Sequence, residues 1–196
     1  MRSIHRYIIN TIAVQKPGSF IFPSHFKALG ADTAIGMALR RLTASGQLKK
    51  LAHGIFIKPG KDVTLLEIAE AIASRDHCKI RPSGALARYK LGLLNKCPVD
   101  LEFSTDGAPR KIKVNNCYII FRACIARKMM LKGKVSSLVI EVLEDMGQDT
   151  MTIDIVTKMR RLLEREDRFA LQHDMLAPAW IVKMFHPAAM KKEKIQ

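Results

Sequence analysis

Residues 38–59 read ALRRLTASGQLKKLAHGIFIKP. Just before them Ile35 starts an apolar series, Ile35, Ala38, Leu39 and Leu42, at i, i+3, i+4 and i+7. That spacing puts one buried stripe on a helix. Asp32 or Thr33 is expected to cap the helix at its start, and Gly46 to sit just past its end near Ser45. Residues 48–51 and 55–58 then flank Ala52-His53-Gly54, a turn whose glycine supplies the positive φ of a tight hairpin. A helix followed at once by a short hairpin is the core of a winged helix.

The flanking sequence agrees. Residues 3–14 carry Ile4, Ile8 and Ile12 at four-residue spacing, with Ser3 as a cap, and predict an amphipathic helix. Lys16-Pro17-Gly18 turns the chain, and the short aromatic run 19–22 reads as a strand. Pro23-Ser24 opens a further helical turn with Phe26 and Leu29 on one face and Gly30 as its stop. Helix, strand, helix, turn, helix, hairpin is the order of a winged helix-turn-helix. Pro59-Gly60-Lys61-Asp62 reads as a linker, dividing the chain into a winged helix-turn-helix at 1–60 and a mixed α/β domain at 61–196. In the second part, residues 64–72 predict an amphipathic helix, 79–81 a short strand, and Ser83 the cap of a helix through Tyr89. Strands are expected at 101–104, 110–114 and 118–122, with Asp106-Gly107 and Asn115-Asn116 at the connections. From about Val135 the pattern is helical to roughly Met190, broken near Gly147, His173 and Pro178. The fold class is α+β.

Charge points to a polyanion. The 196 residues carry a formal net charge of +15. Residues 1–60 hold nine Lys and Arg against the single acid Asp32, so the positive density is concentrated in the first third. A concentrated cationic field favours phosphate, because neutralising it releases counterions. The face of the 33–45 helix opposite its apolar stripe presents Thr33, Gly36, Met37 and Arg40, with Arg41 at the edge. A helix entering the major groove needs this division between a core-anchored back and a front of small, polar and Arg residues. Gly36 costs about 1 kcal/mol of helix propensity relative to Ala, and its bare backbone permits close approach to DNA. Arg40 is placed as a base or phosphate contact, since its fork can bond guanine O6 and N7 together; Arg41 is placed as a phosphate clamp. Lys49, Lys50, His53 and Lys58 cluster around the hairpin and complete the expected DNA-binding set.

Other functions find little support. No G-x-S-x-G elbow surrounds Ser83, and no phosphate loop of the G-x-x-x-x-G-K-[ST] type occurs. Asp100 and Glu102 could imitate a metal-binding acidic pair, but residues two apart on a strand equally form a solvent-facing rim. No nucleophile is placed beside His173, Asp174 or His186, so no catalytic residue is expected. Cys78, Cys97, Cys117 and Cys124 lack both C-x-x-C pairing and His at finger spacing, so neither a metal nor another cofactor is expected. Residues 1–20 do not read as a signal peptide, and no run reaches the roughly 20 apolar residues of a membrane span. Buried thiols in a reducing cytoplasm are the expected setting. Residues 126–134 hold Arg127, Lys128, Lys132 and Lys134, directly before the acidic 135–157 with Glu141, Glu144, Asp145, Asp149 and Asp154. Such a boundary suits ordinary solvated helix faces, a protein contact or orientation on DNA.

The run "ALRRL…SG", Gly54-Ile55-Phe56 at the wing, "PSGALARYKLGL" at 82–93 and "TDGAPRKI" at 105–112 together resemble the AbiEi-type antitoxin family over most of residues 4–145. Phe56 stands where that family often has Tyr, and "LLNKCP" at 93–98 replaces a more usual Ser/Thr-Gln stretch. The resemblance implies the antitoxin of an abortive-infection toxin–antitoxin system. Its winged helix would bind double-stranded operator DNA and repress its own operon. Its second domain would counter a nucleotidyltransferase-fold toxin of the AbiEii type. A winged-helix transcriptional regulator without a toxin partner is the alternative.

Overall fold

In the computed structural model residues 4–174 and 177–183 are described. The chain forms two compact units, Met1–Ile72 with Ile112–Cys117, and Ala73–Lys111 with Tyr118–Gln196. The Ser3 cap, the helix expected beyond residue 183 and His186 lie outside the described residues.

In the first unit, helix α1 (Ile4–Ala13) buries Ile8 and Ile12. Strand β1 (Phe20–Ile21) follows, then a 3-10 turn at Pro23–Leu29 that buries Phe26. Helix α2 (Asp32–Ala44) buries the whole stripe Ile35, Ala38, Leu39 and Leu42. Its cap differs from expectation. Ala31 is the N-cap and no side chain bonds the free amides there, so Asp32 falls in the first turn, where its charge complements the helix dipole. At the other end Ser45 caps, and Gly46 takes φ +74°, the left-handed geometry that stops the helix.

Strands β2 (Lys49–Ala52) and β3 (Ile55–Ile57) form the wing, with Gly54 at φ +67° in the turn. The sheet order is β1-β3-β2, all antiparallel, and β2 has an irregularity between Lys50 and Ala52. Ile8, Ile35, Leu39, Leu42, Leu48 and Phe56 meet in one core. This is the connectivity of a winged helix, built from the sequence periodicities one element at a time.

Helix α3 (Leu65–Arg75) opens on a reciprocal cap. The Glu67 amide donates to Thr64 Oγ1 at 3.2 Å, and the Thr64 amide donates to Glu67 Oε2 at 2.8 Å. Each side chain satisfies a backbone donor that the helix leaves unpaired.

The second sheet has the order β4-β5-β7-β6. Its strands are β4 (Ile80–Pro82), β5 (Leu101–Thr105), β6 (Arg110–Val114) and β7 (Cys117–Ala123), close to the expected spans. β5 runs antiparallel to β4 and parallel to β7, with Phe103 opposite Phe121. Between β4 and β5 lies α4 (Gly84–Lys90), entered through Ser83, whose hydroxyl makes no capping bond. After β7 come a short helix α5 (Ala126–Met130), absent from the sequence reading, and then α6 (Ser136–Met146), α7 (Ile153–Leu163) and α8 (Arg168–His173). Ala87, Leu91, Val139, Leu143, Met159 and Leu171 share the core of these helices. The breaks at Gly147 and near His173 fall as expected; a further break at 164–167 does not show in hydrophobic periodicity, because Asp167 sets it by capping α8 through the Ala170 amide at 2.9 Å. No helix among the described residues is long and apolar enough to cross a membrane.

Candidate nucleic-acid interface

Between α2 and the wing lies a groove of about 540 Å³. One flank of α2 supplies Asp32, Gly36, Arg40 and Thr43, and the wing supplies Lys50, His53 and Phe56. Those α2 positions follow helical spacing along a single side of the cylinder. Leu39 and Phe56 form an apolar floor, and Arg40 and Lys50 bring cations to its margins beside the imidazole of His53. Asp32 is the acid on the same lip. Thr43 was not among the expected contacts, although its spacing from Gly36 and Arg40 was the available signal. Its hydroxyl donates back to the Leu39 carbonyl at 2.9 Å.

The nine expected residues separate into four groups. Gly36, Arg40, Lys50 and His53 converge on the groove. Thr33, Met37 and Arg41 are exposed on the remaining front of α2, with Met37 52% exposed, too open for a core methionine. Lys49 is turned away. It lies opposite Ile57, whereas Lys50 lies opposite Phe56, and successive strand residues face opposite sides of the sheet. Lys50 therefore joins the groove and Lys49 lines the opposite face with Leu51 and Ile57.

Lys58 has a structural task. Its ammonium donates to the carbonyls of Ile12, Ala13 and Gln15 at 3.0, 2.7 and 2.7 Å. An ammonium has three donors, so all are committed to the carbonyl-rich end of α1, where a cation also offsets the helix dipole. It is removed from the interface set for that reason. Lys49 and Lys58 thus stand apart from the groove that Arg40, Lys50 and His53 edge.

Gly36 is the most informative position. A Cβ built there meets nothing within 4 Å, and its φ is ordinary for a helix. Neither packing nor backbone geometry among the described residues calls for glycine, and Ala would be the better helix former. Its bare surface is open to an outside partner.

In the second unit, the acidic pair considered above has other roles. Asp100 Oδ1 accepts from the Tyr118 amide at 2.7 Å, fixing the start of β7, and Glu102 pairs with Arg122. Asp174 is fully buried and accepts backbone and hydroxyl hydrogen bonds. Arg127 meets Glu144 at 2.8 Å, and Lys128 meets Glu141 and Glu144 at 3.0 Å each. Burial draws the Lys128 ammonium down, but the two carboxylates outweigh it and hold the group above the ordinary lysine range. The thiol of Cys124 is pushed up, first by burial and then by Glu141 nearby. Among the described residues no three His, Cys, Asp or Glu gather where they could hold a metal ion.

Residues 7–171 match the family described as "Family of unknown function (DUF6088)", and the chain belongs to that family. No curated protein matches it.

Proposed function

We propose that this DUF6088 protein is an operator-binding repressor whose α2 enters the major groove while its wing lies along the phosphates. The observation that carries this reading is the open, glycine-bearing face of α2 beside a groove edged by Arg40, Lys50 and His53. Arg40 has the chemistry for bidentate contact with guanine, and Lys50 for a point contact with phosphate. Thr33, Met37 and Arg41 extend the contact face along the helix.

The motif resemblance to AbiEi-type antitoxins extends the proposal to a cytoplasmic antitoxin that represses its own operon and counters a nucleotidyltransferase-fold toxin of the AbiEii type. Support for this part comes from the quoted motifs in both units, and support for DNA binding comes from the groove. The two parts are separable by experiment.

Gel shifts with DNA from upstream of the gene test the first. Arg40→Ala should cost about 1–3 kcal/mol and relax the preference at one base pair. Lys50→Ala should weaken all sequences alike and reduce the salt slope by about 0.9 for the one phosphate lost. Wild-type binding by both variants would refute the groove as the interface. Growth rescue on co-expression of the full chain with the neighbouring gene product tests the second. No rescue, with repression intact, would leave a winged-helix regulator without a toxin partner.

A further inference from the structure

The second unit neutralises many of its cations in pairs. Arg75 and Arg110 both meet Asp76, Arg88 meets Asp145, Arg122 meets Glu102, and Arg127 and Lys128 meet Glu141 and Glu144. A cluster of cations stands outside these pairs. A pocket of about 400 Å³ is lined by Lys79, Arg81, Lys90, Lys132 and Lys134, with no acidic residue in its wall. None of the four lysines has a carboxylate partner among the described residues, and all four are exposed. Five like charges around one concavity repel each other, a cost that an anionic ligand would remove.

The pocket is built on a fixed loop. The guanidinium of Arg81 donates to the Leu131 carbonyl, joining β4 to the segment that carries Lys132 and Lys134. Asp174 accepts from the amides of Lys132 and Gly133 at 2.8 and 3.0 Å, and Glu166 accepts from those of Val135 and Ser136 at 2.5 and 2.8 Å. Two carboxylates thus hold four backbone donors of one short segment, the amides of 132, 133, 135 and 136, while the lysine side chains of this loop line the pocket. A Cβ on Gly133 would collide with Ser136 Oγ and lie 2.7 Å from Glu166 Oε2, so the loop closes only on glycine. The lining also includes Ile80, Pro82 and Leu138, an apolar wall beside the cations.

We propose that this pocket binds a nucleoside polyphosphate, the phosphates among the lysines and the base against Ile80, Pro82 and Leu138. A concavity of this volume is in the range of small-ligand sites, and a cationic half beside an apolar half matches the two halves of a nucleotide. The site is independent of the winged-helix groove and of the function proposed for it.

Isothermal titration of the full chain with ATP, GTP, inorganic tripolyphosphate, adenosine and a random-sequence DNA duplex tests the proposal. ATP or GTP should bind with one site per chain and more tightly than tripolyphosphate, and adenosine should bind far more weakly. The double variant Lys132→Ala/Lys134→Ala should weaken the nucleotide at least tenfold. A control of equal charge change, Lys96→Ala/Lys113→Ala at two exposed lysines outside the pocket, should leave it unchanged. Circular dichroism and operator binding should be as wild type in both variants. Equal weakening in the two double variants would overturn the proposal, as would tripolyphosphate binding as tightly as ATP. So would a duplex that displaces ATP from the Arg40→Ala variant, which would mark a nucleic-acid surface instead.

Discussion

Replacing Gly36 by alanine should move stability and DNA affinity in opposite directions. Gly36 lies inside the 13-residue α2 with ordinary helical φ, and an added Cβ would meet nothing within 4 Å. The folded state therefore gains helix propensity of about 0.8–1 kcal/mol without any clash. For a cooperative unit of this size that gain raises the melting temperature by about 4–8 °C. On DNA the same methyl group stands about 1.5 Å above the backbone. Backing the helix away by that distance takes Arg40 out of range of hydrogen bonds that are about 2.9 Å long. An operator affinity at least tenfold weaker, about 1.4 kcal/mol, is the expected result. Thermal melting by circular dichroism reads the first quantity and fluorescence anisotropy with labelled operator the second. Gly46→Ala supplies the contrast: its site is equally open, but at φ +74° a side chain is strained, so it should destabilise by about 1–2 kcal/mol. A Gly36→Ala protein that is stabilised yet binds operator as tightly as wild type would refute close approach of this face to DNA.

Three other outcomes follow from contacts already described. Lys58→Ala should destabilise by about 1–2 kcal/mol through loss of its charged bonds to the α1 carbonyls, discounted for partial exposure; the salt dependence of DNA binding, measured by titration, should stay as in wild type. Glu67 is held down to about 2 by its bond to Lys61 and then by the amide and hydroxyl of Thr64. Its folded value lies below its unfolded one, so its contribution is complete above pH of about 4.5 and is lost as pH falls towards 2. Melting temperatures across that window should fall less in Glu67→Gln than in wild type. Gly133→Ala should cost about 2–4 kcal/mol, since the added methyl group forces Ser136 and the two carboxylates apart; chemical denaturation measures it, and a neutral result would contradict the described loop.

The winged helix was legible because its signals are local. Ile35, Ala38, Leu39 and Leu42 share a face through helical geometry alone, and Gly46 and Gly54 mark turns through their own backbone freedom. The strands of the second sheet were readable for the same reason, bounded by Asp106-Gly107 and Asn115-Asn116. The N-cap of α2 was misplaced by one residue because Asp32 and Thr33 are good capping types, whereas in the fold the helix already begins at Asp32 without a side-chain cap.

Sequence by itself determined which residues carry charge and which helical or strand face each occupies. Only the tertiary structure decided which charges remain available. Strand pleating alone puts Lys49 and Lys50 on opposite faces, and the fold decides that it is Lys50 that enters the groove. Lys58 stands beside the wing in sequence but reaches back to the end of α1. The basic run 127–134 divides in the fold: Arg127 and Lys128 are matched by acids on α6, while Lys132 and Lys134 meet Lys79, Arg81 and Lys90 from some fifty residues earlier. The physical reason is one of range. Side-chain direction follows from torsions within a few residues, whereas the field at a charge is set by whatever the fold brings within a few ångströms, and neither partner advertises the other in the sequence.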